Sequence, residues 1–260
     1  MNRIFNAQLF GPLVAMILVA VVVASTTDRF LTTGNLSNLS LQVSIVALIA
    51  IGATIVIIGA GIDLSSGSMV ALLTMLLAEM VKFLHVPLPL ALLLVLGFGA
   101  LLGLTIGVIS AYGRIPSFIT TLAALIALRG VALTFNNGSP IFSLDPMLEP
   151  VFYGRMLGIP LPFFYVLGFF SLATIMMNFT RLGREIYAVG GNPAAAALSG
   201  INVRRVQTYT FVIAGIMTAV GAILMSARLN SGSPNYGQTL ELQAIAAAVV
   251  GGASLAGGRG

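Results

Sequence analysis

The chain has 260 residues, of which 58% are hydrophobic and 7% are charged, whereas about a quarter of the residues in a soluble globular domain are charged. So much apolar surface cannot be buried in one aqueous core, and the composition therefore indicates an integral membrane protein. The net charge of +5 comes from scattered basic residues, which argues against nucleic acid as a partner, and the lack of cysteine excludes disulfides and thiol chemistry.

Eight apolar runs, each predicting a membrane-spanning helix, follow one another along the chain. They lie near residues 9–25, 41–60, 66–84, 88–110, 117–135, 161–179, 208–227 and 242–257, the last being the weakest. The first run follows Arg3 and ends in small residues like a signal peptide, but seven further runs favour a retained helix. The sequence thus predicts an all-α polytopic bundle, with residues 1–260 forming one transmembrane domain.

The distribution of arginine predicts how the bundle is oriented. The loop 181–207 carries four arginines and one glutamate, so the positive-inside rule places it in the cytoplasm. Counting back through six spans places Met1 in the cytoplasm as well and the loop 137–160 outside. The bias is modest, because Lys82, Arg29 and Arg228 then also lie outside.

The fourth run, "GFGALLGLTIGVISAYG", carries glycine at every fourth position. Gly99, Gly103 and Gly107 share one face of a helix and allow another helix to approach closely. We expect this face to be a packing seam inside the bundle rather than an interface between subunits.

The stretch "GAGIDLSSGS", residues 59–68, places polar groups between the second and third spans. One interpretation is a tight capped turn at the membrane surface. The other is a broken helix in which Asp63 and Ser65 face a solvated path. The residues alone support the two interpretations about equally.

Arg129 lies well inside the fifth run, where an arginine costs roughly 2.5–3.5 kcal/mol on insertion scales and needs a partner or water. Asp63 and Glu79 are possible ion-pair partners, and a structural ion pair is at least as plausible as a substrate contact. At the outer end of this helix, two asparagines could bond a polyol or cap the helix. The candidate substrate path therefore comprises Asp63, Ser65, Arg129, Asn136 and Asn137.

The chain lacks the motifs of an enzyme. It has no phosphate-binding GxxxxGK[ST] loop, and one histidine with well-separated acids cannot form a catalytic triad, a carboxylate pair or a metal cluster. We therefore expect no catalytic residue, metal or cofactor in this chain.

A short helix is predicted in the loop "VGGNPAAAALSG". Asn192 suits the cap, Pro193 the first turn and Gly200 the end, and the four alanines between them favour helix. Its small side chains would let it enter a groove on another protein. It could equally be a plain surface helix.

The surrounding stretch "TRLGREIYAVGGNPAAAALSGINV" closely resembles the permeases of bacterial ABC-type sugar importers, particularly the ribose-type branch. The resemblance covers almost the whole chain and includes "GIDLSSGS", "LRGVALTFNNGSP" and "ELQAIAAAVVGGASLAGGRG". In that family the corresponding loop provides a coupling helix that docks on a separate cytoplasmic ATPase. The resemblance places this segment at about 190–203. The coupling residues it implies are Gly190, Gly191, Asn192, Pro193, Ala194, Ala195, Ser199 and Gly200.

The resemblance also implies the partners and the location. They are a second permease copy, identical or different, a cytoplasmic ABC ATPase that holds ATP and magnesium, and an external or periplasmic sugar-binding protein. The binding protein would dock on outer loops around 137–160 and 228–240. The assembly would lie among the lipids of the bacterial cytoplasmic (inner) membrane and import a monosaccharide such as ribose.

Two features depart from the family pattern. Family members often carry an acidic residue where this chain has Pro193, and they usually continue past "GGASLAGGRG" to about ten spans, so the resemblance implies an incomplete C-terminal part. A weak echo of residues 46–68 in the terminal stretch indicates an internal repeat. The alternative functions are a secondary transporter or facilitator for small polar solutes, and a nonfunctional truncated permease.

Overall fold

The computed structural model describes residues 7–260, and these fold as an all-α bundle with short loops. Met1, which the predicted orientation places in the cytoplasm, and Arg3, which precedes the first apolar run, lie outside the described residues. The helices are α1 (Ala7–Thr26), α2 (Thr33–Ile58), α3 (Ser66–Lys82), α4 (Leu88–Gly113), α5 (Ser117–Thr134), α6 (Glu149–Tyr153), α7 (Leu161–Phe179), α8 (Arg181–Gly191), α9 (Pro193–Leu198), α10 (Val203–Leu229) and α11 (Leu240–Val250).

Four two-residue strands form two small antiparallel pairs in the loops. They are β1 (Ile141–Phe142), β2 (Arg155–Met156), β3 (Ile159–Pro160) and β4 (Ser231–Gly232). Strand β1 pairs with β4, and β2 pairs with β3.

The predicted apolar runs correspond to α1, α2, α3, α4, α5, α7, α10 and α11. Five helical stretches in residues 7–260 are long and apolar enough to cross a membrane by themselves, namely α2, α4, α7, α10 and the stretch Ser117–Gly138 that contains α5. These findings confirm a polytopic all-α membrane protein.

Two helices begin earlier than the apolar runs that predicted them, and one helix is shorter than its predicted span. Helix α2 begins at Thr33 rather than near 41, because the Thr32 hydroxyl accepts a hydrogen bond from the Asn35 N–H and caps a polar first turn. Helix α10 begins at Val203 rather than 208, where the Asn202 side chain caps it in the same way. The eighth span is the half-length helix α11, about 16 Å long at 1.5 Å per residue, because the chain turns at Gly251 and Gly252.

The predicted glycine seam packs inside the bundle, against α10. A Cβ added at Gly99 would lie 2.6 Å from the Ala219 Cβ, and one added at Gly107 would lie 2.9 Å from the Thr208 Cα. Gly103 and Gly215 approach the facing backbone still more closely. The expectation of an internal seam is confirmed.

The core of the bundle is built by α2, α3 and α10. Ile45, Leu48, Leu73 and Leu224 are at most 1% exposed there. Large apolar side chains on the outer helices point outward instead, as Leu93 and Ile126 show at 66% and 67% exposure. This arrangement suits a hydrocarbon surround, in which apolar side chains face outward without penalty.

The loops gather at two opposite ends of the bundle. The end that carries α8 and α9, here called the α9 face, also holds the end of α2, where the Gly258 N–H donates to the Ile58 carbonyl at 2.8 Å. The other end, the opposite face, carries residues 135–160, and there the Lys82 ammonium donates to the Ser143 carbonyl at 2.8 Å. Helix α7 connects the loop 137–160 to the loop 181–207 across the bundle.

Candidate functional site

Helix α9 forms as its sequence predicts. The Asn192 side-chain oxygen accepts a hydrogen bond from the Ala195 N–H at 3.0 Å, and Pro193 occupies the first turn, where no donor is lost. Gly200, with a φ of 82°, turns the chain after the helix in a conformation that favours glycine. All the signals that form α9 are local, which is why the sequence shows them.

Helix α9 is buried at one residue, Ala196, and exposed at the others. Ala196 is 4% exposed and packs in an apolar cluster with Ile186 and Val189 of α8, Ile58 of α2 and Val206 of α10. The remaining side chains of α9 are exposed, and Leu198 is 92% exposed. The helix therefore presents a ridge of small side chains while its base is fixed to two long helices.

Gly190 differs from the other residues of the predicted coupling segment, because it is buried. A Cβ added there would collide with the Ile58 carbonyl and crowd the Gly258 N–H. Gly190 therefore allows α8 to pack against the end of α2, and its burial does not support direct contact with a partner protein. Gly191, Asn192, Pro193, Ala194, Ala195, Ser199 and Gly200 are all exposed.

A cavity of about 620 Å³ lies beside α9. It is bounded by Pro193 and Ala194 of α9, Arg204 of α10 and Arg114 of the α4–α5 turn. The Arg204 guanidinium also stands 5.8 Å from the centre of the Tyr112 ring, a cation–π distance. The α9 face is therefore polar and basic around an otherwise smooth helix.

Asp63 lies in the turn between α2 and α3, where it is 5% exposed. One carboxylate oxygen accepts from the Ser65 N–H at 2.8 Å and from the Ser65 hydroxyl at 2.6 Å. Burial raises the pKa of the Asp63 carboxyl, and the two hydrogen bonds from Ser65 act in the opposite direction. Both side chains are hydrogen-bonded within the turn, and Ser65, the N-cap residue of α3, makes no side-chain cap hydrogen bond. The two interpretations of this stretch stay predictions.

The neighbouring residue Ile62 ties this turn to the start of α5. Its N–H donates to the Ser117 hydroxyl at 3.0 Å, and its carbonyl accepts from the Thr121 hydroxyl at 3.2 Å. Asp63 therefore lies near the end of α5 that belongs to the α9 face. Arg129 lies eight residues beyond Thr121, about 12 Å further along the helix.

The predicted ion-pair partners of Arg129 are wrong. Its Nη1 donates to the carbonyls of Pro234 and Tyr236, at 2.5 and 2.6 Å. Neither Asp63 nor Glu79 pairs with it, and within residues 7–260 the single ion pair is Arg181–Glu185 on α8. The carbonyls bind the guanidinium because the chain around them is not helical and leaves them without intrahelical donors.

These carbonyls belong to residues 233–239, here called the inward segment. The loop 228–240 was predicted to be an outer loop, and its beginning lies at the opposite face, where β4 pairs with β1. Beyond β4 the chain runs inward along α3. Gly232 abuts the Thr74 carbonyl, and Gly237 abuts the Gly67 carbonyl in the first turn of α3.

The inward segment was missed by sequence reasoning, although a signal exists. "SGSPNYGQT" combines one proline and two glycines immediately before a short apolar run. Interrupted apolar segments of this kind are typical of discontinuous helices in transporters.

Asn136 and Asn137 end α5 at the opposite face. Both have left-handed backbone conformations, with φ of 46° and 53°, and both are exposed. The Asn136 amide donates to the carbonyls of Ser139 and Pro140 at 3.1 and 3.3 Å. The predicted path residues thus lie at three levels along α5 and do not form one cluster, so their role in a path stays a prediction.

Comparisons with known proteins identify the family. A profile of the family described as the permease component of a branched-chain amino acid transport system matches residues 35–258. The ribose import permease protein RbsC of Escherichia coli K12 is 42% identical over 252 residues, which cover 95% of this chain and 78% of that protein. No solved structure gives a significant match.

Two further relatives extend the comparison. RbsC of Bacillus subtilis is 39% identical, covering 97% of this chain and 79% of the relative. The xylose transport system permease protein XylH of Escherichia coli K12 is 34% identical, covering 98% and 81%. The chain therefore belongs to this family of transport permeases, and the predicted resemblance to the ribose-type branch is confirmed.

Proposed function

We propose that the chain is the transmembrane permease subunit of an ATP-driven importer for a monosaccharide. A separate cytoplasmic ATPase would bind α9, and an external or periplasmic binding protein would deliver the sugar at the opposite face. The main support for the proposal is helix α9, which is exposed except for Ala196 and is packed on α8, α2 and α10 through that residue. The chain that carries this helix is 42% identical to a ribose import permease.

The packing beneath α9 supports its coupling role. Ala196, Ile186 and Val189 belong to one buried cluster with residues of α2, α7 and α10. A force applied to the exposed ridge of α9 would therefore reach three spanning helices through close packing, since packed interiors transmit strain. The small side chains of Ala194 and Ala195 would let the ridge lie deep in a groove of the ATPase.

The charge distribution supports the orientation. Arg181, Arg184, Arg204 and Arg205 are all exposed on the α9 face. The positive-inside rule then places this face in the cytoplasm and the loop 137–160 outside. The N-terminus would then lie in the cytoplasm, and the family relatives support the bacterial inner membrane as the location of the protein.

In this proposal the chain itself catalyses no chemical reaction. ATP and magnesium would bind the partner ATPase, and two permease copies, surrounded by lipid, would enclose the sugar path. The names of the relatives favour a pentose. Within residues 7–260, no group of three or more histidine, cysteine, aspartate or glutamate side chains could hold a metal ion.

The proposal is tested by uptake of labelled ribose and xylose in membrane vesicles that contain the chain, its co-encoded ATPase and its sugar-binding protein. We expect uptake to require ATP and to persist when the proton gradient is dissipated. Uptake that collapses with the gradient and ignores ATP would instead support a secondary transporter.

A matched pair of variants tests the role of α9 in the same vesicles. Ala195→Trp should abolish ATP-driven uptake while leaving membrane insertion intact, because a bulky group blocks docking. Leu93→Trp, at a residue of α4 that is 66% exposed, leaves both α9 and the outer loops unchanged and should retain uptake. Normal uptake by the Ala195 variant would contradict the proposal that α9 couples the chain to the ATPase.

A further inference from the structure

The inward segment brings uncharged polar side chains deep into the apolar bundle. Gly237 packs on the first turn of α3, and the carbonyls of Pro234 and Tyr236 bind Arg129, which lies 12 residues into α5. Twelve residues correspond to about 18 Å along a helix, whereas a bilayer's hydrocarbon core is about 30 Å thick. The inward segment therefore lies near the middle of the membrane.

Several contacts hold this segment in one conformation. Besides the Arg129 hydrogen bonds, the Tyr236 hydroxyl and the Ser231 hydroxyl lie 2.6 Å apart, and the Asn235 N–H donates to the Ser233 hydroxyl at 3.2 Å. The Leu240 N–H donates back to the Gly237 carbonyl at 3.2 Å as α11 begins. The segment is fixed before any ligand binds.

Two amide side chains project from this fixed segment. Asn235 and Gln238 are exposed, whereas Ser233, Pro234 and Gly237 are buried. A carboxamide has two N–H donors and a carbonyl acceptor, all of which would be left without partners in hydrocarbon. Side chains of this kind at mid-membrane depth therefore face water or a polar ligand.

The exposed surface of α5 beside Arg129 has a different composition. Ile126 lies one turn before Arg129 and is 67% exposed, and Val131 lies two residues after it and is 47% exposed. Apolar side chains thus cover the outward positions of α5 near this level. The amides instead belong to a stretch of the chain in which Thr239 and Gln243 are also exposed.

We propose that Asn235 and Gln238 line the translocation path at mid-membrane and bind the hydroxyl groups of the passing sugar. This inference rests on the proposed function and names a site for it. Arg129 is a positioning residue here, because it holds the backbone on both sides of Asn235. Carboxamides suit a neutral polyol, since each offers donors and an acceptor without the strong binding of a charge.

The 260-residue chain lacks cysteine, so a single introduced cysteine gives one thiol in it. Asn235→Cys and Gln238→Cys would be made beside the controls Ile126→Cys and Val131→Cys. Each variant, in vesicles with its ATPase and its sugar-binding protein, would be treated with a hydrophilic methanethiosulfonate in the presence or absence of D-ribose, D-xylose or L-leucine. Uptake of the three solutes would be measured in the same vesicles.

We expect the thiols at 235 and 238 to react at least about tenfold faster than those at 126 and 131, because only a hydrated thiol ionises and reacts. Ribose or xylose should slow the reaction at 235 and 238, and leucine should not. This combination would support the inference.

The contrary outcomes separate the inference from the function on which it rests. Labelling at 235 and 238 as slow as at 126 would overturn the site, even where ATP-driven sugar uptake is normal. Fast labelling that neither sugar slows, with sugar uptake intact, would overturn sugar contact at these residues. Protection by leucine together with leucine uptake would instead contradict the proposed substrate class.

Discussion

Helix α9 and the inward segment both interrupt the apolar runs of the chain, but they lie at different depths of the bundle. Each contains one proline with an asparagine beside it: α9 is PAAAAL after Asn192, and residues 233–239 are SPNYGQT. Helix α9 lies exposed at one end of the bundle, whereas residues 233–239 pass into its middle. The difference arises from what satisfies their backbone groups: α9 uses its own cap, and the inward segment uses Arg129.

This contrast shows how membrane depth changes the value of a hydrogen bond. At the α9 face water can replace a lost partner, so a cap contributes modestly. In the middle of the membrane no water replaces it, unless a path supplies some, so an unpaired carbonyl is costly. The two regions should therefore respond very differently to the loss of one side chain.

The largest effect is expected from Arg129→Leu. It leaves the Pro234 and Tyr236 carbonyls without their donor and should lower the free energy of unfolding by about 3 kcal/mol. The thermal midpoint of the purified protein in detergent would measure this loss, and sugar uptake should fall with it. Arg155→Leu is the control, since Arg155 is exposed on the opposite face. Equal midpoints for the two variants would show that the guanidinium does not hold the inward segment.

The next effect is expected from Gly67→Ala. The added methyl group would collide with the Gly237 carbonyl and the Glu241 carboxylate, which we expect to lower the free energy of unfolding by about 2 kcal/mol through overpacking. Gly168→Ala in α7 is the matched control, because a Cβ there meets nothing within 4 Å. Thermal midpoints again provide the comparison. A stable Gly67 variant would mean that α3 and the inward segment are less closely packed than described.

The smallest effect is expected from Asn192→Ala at α9. Loss of the cap should weaken the helix by about 1 kcal/mol, so the Ala195 amide should exchange hydrogen about fivefold faster. Asn192→Asp keeps the accepting oxygen and should restore slow exchange. Mass spectrometry of deuterium uptake would follow both variants, and a large loss of global stability would contradict the local role given to this cap.

Sequence reasoning predicted the features that depend on neighbouring residues. The apolar runs predicted the long helices. Asn192, Pro193 and Gly200 predicted α9, because helix caps and turns depend on neighbouring residues. The spacing of Gly99, Gly103 and Gly107 predicted an internal seam correctly, although it did not name α10 as the partner. The polar first turn of α2 was missed because hydropathy falls there even though the helix continues.

The remaining features depend on contacts between distant parts of the chain. Arg129 and Pro234 are 105 residues apart, and nothing near Arg129 in the sequence indicates that its partners are carbonyls. Charge alone suggested Asp63 and Glu79 instead. The inward path of residues 233–239 likewise depends on Gly67 and Thr74, so an outer loop was the natural expectation.

The central claim is that α9 joins this permease to an ATPase. It is tested most directly by mass spectrometry of the proteins that copurify with the tagged chain from its native membrane in mild detergent. We expect an ABC ATPase with the wild type and with Leu93→Trp, and its loss with Ala195→Trp. Recovery of no ATPase with the wild type, or equal recovery with all three proteins, would contradict the claim.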